Sequence, residues 1–343
     1  MSVILGLESS CDDSAAALVA SDRRILAQAV VGQTKAHQPY GGVVPEIAAR
    51  AHVEILPALI AKVLDEADLP IAKIDAVAAT AGPGLIGGVM VALLAGKGLA
   101  LSAGKPLIAV NHLEGHALSP RLQDPDLGFP YLLLLVSGGH CQLLEVCGVG
   151  HYLRLATTID DAAGEAFDKA AKLLGLGYPG GPALETLARD GDASAVPLPR
   201  PLLGSSEPHF SFAGLKSAVQ RAVQSGVYRP EDIAASFQKA VVDCLVDRTK
   251  LALGKSDAPS LVVAGGVAAN QAIRSALEAL AHQAKRRFSV PPAWLCTDNA
   301  AMIAWAGAER FAAGLFDSLS APARARWPLD EGAEKVRGAG VKA

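Results

Sequence analysis

The sequence predicts an α/β protein made of two halves that repeat one plan, and three observations predict it. The 343 residues are 51% hydrophobic and only 19% charged, with 5% aromatic; the apolar excess of Ala, Leu, Val and Gly suits close packing of helices on sheets. A strand–turn–strand pattern is followed by a strand–glycine turn–helix pattern, and the two occur twice in the same order. The strands end on turns rich in glycine or small polar residues, the punctuation of alternating strands and helices.

In the first half, residues 3–7 read as a buried strand, the polar Glu8-Ser-Ser-Cys-Asp-Asp-Ser14 as a turn, 15–19 as the returning strand and 25–31 as a third. Residues 44–66 have helical periodicity, 74–80 a strand pattern, and Ala81-Gly-Pro-Gly-Leu-Ile-Gly-Gly is a glycine-rich turn ahead of a helix over 89–102. A strand over 107–110 then delivers the chain to His112.

Around Tyr131 the plan restarts, with a strand over 131–136, the tight turn Ser137-Gly138-Gly139-His140, and a returning strand over 142–146. Residues 260–263 form a strand, Ala264-Gly265-Gly266-Val267-Ala268-Ala269-Asn270 a glycine turn and 271–284 a helix; 197–212 is the longest irregular stretch, a surface loop or a lid. This duplicated plan resembles the actin, sugar-kinase and Hsp70 (ASKHA) superfold, which implies two lobes with an inter-lobe cleft between their polar turns. The proline-rich stretch 123–130 marks the boundary, giving a first lobe of 1–128 plus 299–320, a second of 129–298 and a tail of 321–343.

A net charge of −3 supplies no global field to gather nucleic acid, so an RNA partner has to meet local basic groups or arrive through another subunit. Such groups are His282 to Arg287 and the tail residues Arg324, Arg326, Lys335 and Arg337, each more often simply a solvated face. Five cysteines with no C-x-x-C fit a reducing compartment, so the cytoplasm is expected. Residues 89–103 are interrupted by Lys97 and read as too short for a bilayer, and no signal peptide or membrane partner is expected.

The chemistry concentrates in Asn111-His112-Leu113-Glu114-Gly115-His116, because histidines four residues apart share one helix face and can both turn a ring nitrogen to one metal ion. A third ligand is sought in Thr297-Asp298-Asn299, where Asp298 follows a strand-like 292–296 and precedes a helix over 300–313. By spacing alone Asp298 is an ordinary helix N-cap, although a cap residue can also face a cleft. Two histidines and a carboxylate, with positions left for water or substrate, suit zinc or ferrous iron acting as a Lewis acid. At about 100° per residue, Glu114 lies roughly 200° from His112 and points away from the shared face. A zinc-protease helix has its glutamate directly after the first histidine; Leu113 stands there, which disfavours a protease.

The glycine turns at 137–139 and 265–266 present backbone N–H groups suited to phosphate oxygens, and no P-loop sequence occurs. Between them, Asp161, Glu165, Asp168 and Lys172 recur at helical spacing in a segment running from Thr157 to Tyr178-Pro179-Gly180-Gly181-Pro182, with Phe167 and Leu174 on the opposite, buried face.

Together these motifs, with Tyr40-Gly-Gly-Val-Val-Pro-Glu46, Phe210-Ser-Phe-Ala-Gly-Leu-Lys216 and Cys296-Thr-Asp-Asn299, resemble the TsaD-like tRNA threonylcarbamoyladenosine transferase family over about residues 2–329. The resemblance implies an acyltransferase that moves the threonylcarbamoyl group of threonylcarbamoyl-AMP to the exocyclic amine of the adenosine 3′ of the anticodon, in tRNAs reading A-starting codons, with AMP leaving. It implies His112, His116 and Asp298 as ligands of one divalent ion, usually ferrous iron in this family with zinc the alternative. It implies substrate contacts at Leu135, Val136, Ser137, Gly138, Gly139, Asp168, Gly181 and Asn270.

The resemblance further implies work alongside a TsaB-like paralogue and a TsaE-like ATPase. The chain departs from the family pattern at the opening motif, more often Glu-Thr-Ser-Cys-Asp-Glu-Thr, and at Ala213. Asp12 and Asp13 are therefore given no role near the metal, and Glu185, a ribose contact only in some members by the resemblance, is given none either. Competing classes are a kinase-like ATPase of the same superfold, a metalloprotease, and a non-catalytic scaffold; retention of His112, His116 and Asp298 argues for the catalytic member.

Overall fold

The structure is a computed structural model, and it describes residues 1–40, 42–177, 179–334 and 336. Gly41, Tyr178, Lys335 and Arg337, which figured in the motifs and basic groups above, lie outside the described residues. The chain divides into two compact units: Met1–Asp126 with Val149–His151 and Thr297–Glu331, and Leu127–Gly148 with Tyr152–Cys296 and a short stretch from Gly332.

The first unit is built on a five-stranded sheet of β1 (Val3–Glu8), β2 (Asp13–Ala20), β3 (Ile25–Gly32), β4 (Ala76–Gly82) and β5 (Leu107–Asn111), in the order β3-β2-β1-β4-β5. The meander β1–β3 is antiparallel, and β1, β4 and β5 run parallel, so the crossovers need helices: Pro45–Glu66 leads into β4 and Ile86–Ala103 into β5. Every residue of β1 and β4 is buried, as expected of strands covered on both faces. One cover is the helix Ala300–Ala312, which approaches so closely that a Cβ on Gly6 of β1 would lie 2.4 Å from the Ala300 carbonyl oxygen and 2.5 Å from the Ala304 nitrogen. Gly307 meets Ala78 of β4 in the same way, at 2.5 Å.

The second unit repeats the plan with β6 (Tyr131–Val136), β7 (Cys141–Gly148), β8 (His151–Thr157), β9 (Ser260–Ala264) and β10 (Arg287–Ser289), in the order β10-β9-β6-β7-β8. Replacing β1 by β6, and so on along the chain, converts one strand order into the other. The β8-to-β9 connection carries the helices Ala163–Leu173, Gly180–Ala188, Ala213–Ser225 and Pro230–Leu253, whose core includes Phe167 packed edge-on against Phe237 at 5.2 Å. The fold is the ASKHA α/β fold anticipated above.

Several elements differ from their sequence reading. β8 carries only a weak alternation and was not anticipated; five of its seven residues are exposed or half-buried. Residues 293–296 form a short helix, not the end of a strand, and deliver Asp298 from a helical turn. The helix Ile86–Ala103 begins inside the glycine turn, which makes it 18 residues long and, by length and composition only, apolar enough to cross a membrane; here it lies on β4, where a Cβ on Gly96 would sit 2.7 Å from Ala79 Cβ. The irregular 197–212 stretch is pinned to the helix Pro230–Leu253 by Arg200–Asp243 at 3.1 Å, Gly204 N–H to Asp247 at 3.3 Å and Arg248 to the Ser205 carbonyl at 3.0 Å, the contacts of a fixed surface loop.

Candidate metal centre and nucleotide pocket

β5 ends on Asn111, whose extended backbone and side-chain oxygen, accepting the Leu113 N–H at 2.9 Å, cap the helix His112–Gln123. Both histidines therefore lie in the first turns, on one face. Gly115 between them lets the helix Ala300–Ala312 close in, since a Cβ there would be 2.8 Å from Ile303 Cδ1. That approach carries Asp298 to the pair. The cap of the second helix is Asn299, whose Oδ1 accepts the Met302 N–H at 2.9 Å, so the expectation that Asp298 is spent as a cap is corrected.

Asp298 Oδ1 lies 3.1 Å from His116 Nε2 and 3.4 Å from His112 Nε2, and the three ligand atoms fall within 4.8 Å of one another. The two imidazole rings stand perpendicular, with their centroids 4.8 Å apart. His116 is buried, His112 nearly so, and the Asp298 side chain keeps 25% of its surface, leaving one open side. Beneath them, Glu8 at the end of β1 holds His112: its Oε2 is 3.0 Å from His112 Nδ1 and accepts the Thr80 hydroxyl at 2.5 Å, while its Oε1 accepts the Ser10 N–H at 2.5 Å. Ser10 Oγ also approaches His112 Nδ1, at 3.1 Å. A proton on Nδ1 directed at Glu8 leaves Nε2 with its lone pair toward Asp298, the tautomer a metal ligand needs.

The charges are strongly biased. Burial opposes a charged His112, but Asp298 and Glu8 outweigh it and hold the imidazolium well above the usual histidine range. Burial likewise opposes the charged Asp298, and His112 with His116 outweigh it, holding the carboxyl well below the usual range. His116 Nδ1 is buried with no hydrogen-bond partner among the described residues. Two imidazoles and a carboxylate whose ligand atoms converge, with Asp298 still partly exposed, fit a single divalent cation in an open site.

Neighbouring groups sort themselves against this centre. Glu114 is buried and turned away, accepting the Gly150 N–H at 3.1 Å and pairing with Arg310 at 3.1 Å, as its helical angle demands. Asp13 is pushed up to about 7 by burial and by the carboxylates of Asp298, Asp12 and Glu8. Glu8 and Thr80 escaped the sequence reading as site residues; Glu8 stood there as the first residue of the polar turn, and the structure makes it the buried last residue of β1.

The second unit holds a pocket lined by Gly138, Gly164, Phe167, Asp168, Pro179, Gly181, Pro182, Glu185, Gly266, Val267, Ala269 and Asn270. Gly138, Asp168, Gly181 and Asn270 of the anticipated substrate contacts thus share one cavity. Leu135 and Val136 are buried in β6, and Ser137 closes the β6–β7 turn through its N–H to the His140 carbonyl at 2.8 Å and its Oγ accepting the His140 N–H at 3.1 Å. Asp168 accepts the Gly180 N–H at 2.9 Å, which joins two pocket-lining helices. Asn270 caps the helix Gln271–Gln283 through Ile273 N–H at 3.0 Å and donates to Gln238 at 2.9 Å. Glu185, left without a role by sequence, accepts the Gln271 N–H at 2.8 Å on the pocket wall.

The family model for TsaD, tRNA N6-adenosine threonylcarbamoyltransferase, matches residues 24–305. The chain is 72% identical to the tRNA N6-adenosine threonylcarbamoyltransferase of Sphingopyxis alaskensis over the full length of both, and 56% identical to that of Rhodospirillum rubrum over 99% of this chain and 98% of the other. Among solved structures, HypF of T. kodakarensis is similar with a TM-score of 0.60 at 15% identity, covering 91% of this chain and 48% of that one. Component A of the Acidaminococcus fermentans (R)-2-hydroxyglutaryl-CoA dehydratase gives 0.55 at 17%, covering 91% and 100%. These two likenesses speak to the fold. The sequence matches speak to the family, and the chain belongs to the TsaD family of tRNA N6-adenosine threonylcarbamoyltransferases.

Proposed function

We propose that this chain transfers the threonylcarbamoyl group of threonylcarbamoyl-AMP to the exocyclic amine of the adenosine 3′ of the anticodon, in tRNAs that read A-starting codons. A C–N bond forms, the carbamoyl–phosphate C–O bond of the mixed anhydride breaks, AMP departs and the amine loses a proton. The observation that carries this reading is the His112–His116–Asp298 cluster backed by Glu8, in a chain that matches the transferases along its full length. Glu114 is committed to Arg310 and Gly150, which leaves a protease without its general base.

The ion we infer is ferrous iron, with zinc the alternative, since two imidazoles and a carboxylate suit either. When bound, it supplies a positive centre that polarises a carbonyl oxygen or anchors a carboxylate. Glu8 keeps His112 in the ligating tautomer, and Gly115 and Gly6 keep Asp298 in reach. In the second unit we assign the nucleotide end of the adenylate to the pocket, with Asp168 accepting from ribose hydroxyls, Gly138 and Gly139 offering backbone N–H groups to phosphate, and Gly181 and Asn270 on the adenine side. Leu135, Val136 and Ser137 shape the turn that presents them. The target adenosine has to leave its stack to present its amine.

A TsaB-like paralogue and a TsaE-like ATPase are the inferred partners, working in the cytoplasm. Support for the first is an exposed apolar stripe along one helix, Ile86, Met90, Leu94 and Leu101, with Leu94 56% and Leu101 69% exposed. Five free cysteines support a reducing compartment. The test is transfer to unmodified tRNA from pre-formed adenylate with both partners and the metal-loaded chain, wild type beside His112→Ala. Transfer by the wild type alone supports the reading; no transfer by the wild type overturns it.

A further inference from the structure

The segment after the last helix returns across the ends of β4 and β5. Arg324 N–H donates to the Ala81 carbonyl at 2.8 Å, Gly84 N–H to the Ala325 carbonyl at 3.3 Å, and Lys97 Nζ to the Ala321 carbonyl at 2.6 Å. Ala321, Ala323 and Trp327 pack on Ala81, Leu93 and Ala109 in a small apolar cluster of their own. The fit is tight at Gly82, where φ is +133° and a Cβ would lie 1.9 Å from the Arg324 carbonyl oxygen. Gly82 is the ladder partner of Asn111.

Asn111 joins this strap to the metal helix with one side chain. Its Oδ1 accepts the Leu113 N–H at 2.9 Å and its Nδ2 donates to the Trp327 carbonyl at 2.9 Å. The two partners fix one amide orientation, because a flipped amide would set N–H against N–H and oxygen against oxygen. As a helix cap alone, aspartate would serve about as well as asparagine. Only the Trp327 carbonyl demands the amide. The bond sits on the residue before His112, whose ring must meet Glu8 on one side and face Asp298 on the other.

We propose that Asn111 is a positioning residue for the metal centre, and that the strap from Ala321 to Trp327 acts through it to set the orientation of His112. The inference rests on the metal-centre reading above. Its test is a Co2+ titration of the chelator-stripped full-length chain, followed by the visible absorption bands of the bound ion, for wild type, Asn111→Asp and Gly82→Ala, with thermal unfolding in chelator alongside. Asn111→Asp keeps the cap and sets a carboxylate against the Trp327 carbonyl; Gly82→Ala displaces the strap at Arg324.

The expected result is an affinity about 10-fold or more lower in Asn111→Asp, with shifted absorption bands and an unfolding transition in chelator that is lowered but still cooperative, and the same displacement of the bands in Gly82→Ala. Should Gly82→Ala fail to fold, the isosteric Asn111→Asp decides. Variants that bind Co2+ with wild-type affinity and bands overturn the inference alone. A wild type that binds no ion overturns the metal-centre reading, and the inference with it.

Discussion

Glu8 Oε2 and His112 Nδ1 meet at 3.0 Å across 104 residues of sequence, and this contact selects which nitrogen of His112 faces Asp298. A carboxylate behind a ligating histidine fixes ring and tautomer, and losing it costs about 10–100-fold in metal affinity. Glu8→Gln should therefore weaken Fe2+ or Zn2+ binding within that range, as read by competition with a chromogenic chelator. The thermal midpoint of the chelated protein should move less than that of the loaded one. Unchanged affinity would show that Ser10 suffices to orient the ring.

Metal binding should release protons. The ion-free His112 is held protonated above its usual range by Asp298 and Glu8 against the cost of burial, and a ligand must give up the Nε2 proton. Affinity should fall as pH falls below the raised His112 value, and calorimetry in two buffers of different ionisation heat should count the proton. The stability sign is also fixed: with the folded value raised, the His112 contribution is complete below the ordinary value of about 6.5 and is lost as pH rises through the folded one. The chelated protein should thus lose thermal stability on the alkaline side.

Two glycines under the same helix should respond differently to alanine. At Gly115 the obstacle is Ile303 Cδ1, the tip of a side chain that can rotate, so Gly115→Ala should cost about 1–3 kcal/mol and still bind metal. At Gly6 the obstacles are the Ala300 oxygen and Ala304 nitrogen, backbone atoms that cannot yield, and Gly6→Ala should cost more and separate Asp298 from the histidines. Urea midpoints at constant m-value, with metal affinities beside them, check the order.

Arg310 neutralises a buried carboxylate. Arg310→Ala removes the cation facing Glu114, whose side chain retains 2% of its surface, leaves the Gly150 N–H in place, and should destabilise the protein by about 3 kcal/mol. Arg310→Ala with Glu114→Gln should recover much of that loss in denaturant unfolding. No recovery would mean that the Arg310 contact with Asp317, at 3.8 Å, matters more.

The apolar stripe makes a prediction separable from all of these. Leu94→Asp and Met90→Asp should weaken association with the TsaB-like paralogue proposed above, in sedimentation experiments, and leave metal affinity unchanged, because both side chains are exposed and belong to neither the centre nor the core. Retained association would place the partner elsewhere.

Most elements were legible because their residues alternate or repeat at helical spacing. The histidine pair was legible for the same reason, a spacing of four. The cap at 298–299 was not, since Asp and Asn are equally competent and only the extended backbone of Asn299, φ −158° and ψ 160°, decides. Glu8 was hidden because a carboxylate at a buried strand end has no local pattern; its partners Thr80 and His112 are 72 and 104 residues away. The strap from Ala321 to Trp327 has neither periodicity nor length, and its place comes from single hydrogen bonds and the absence of a side chain at Gly82.

The equal strand orders of the two sheets carry a last consequence. A doubled scaffold lets each copy specialise, and here one keeps the imidazoles while the other keeps the glycine-lined hollow. The residues proposed to hold the ion and to back it, His112, His116, Asp298 and Glu8, all lie within residues 1–126 and 297–331, and none of them lines the hollow, so either set can be redesigned without substituting a member of the other.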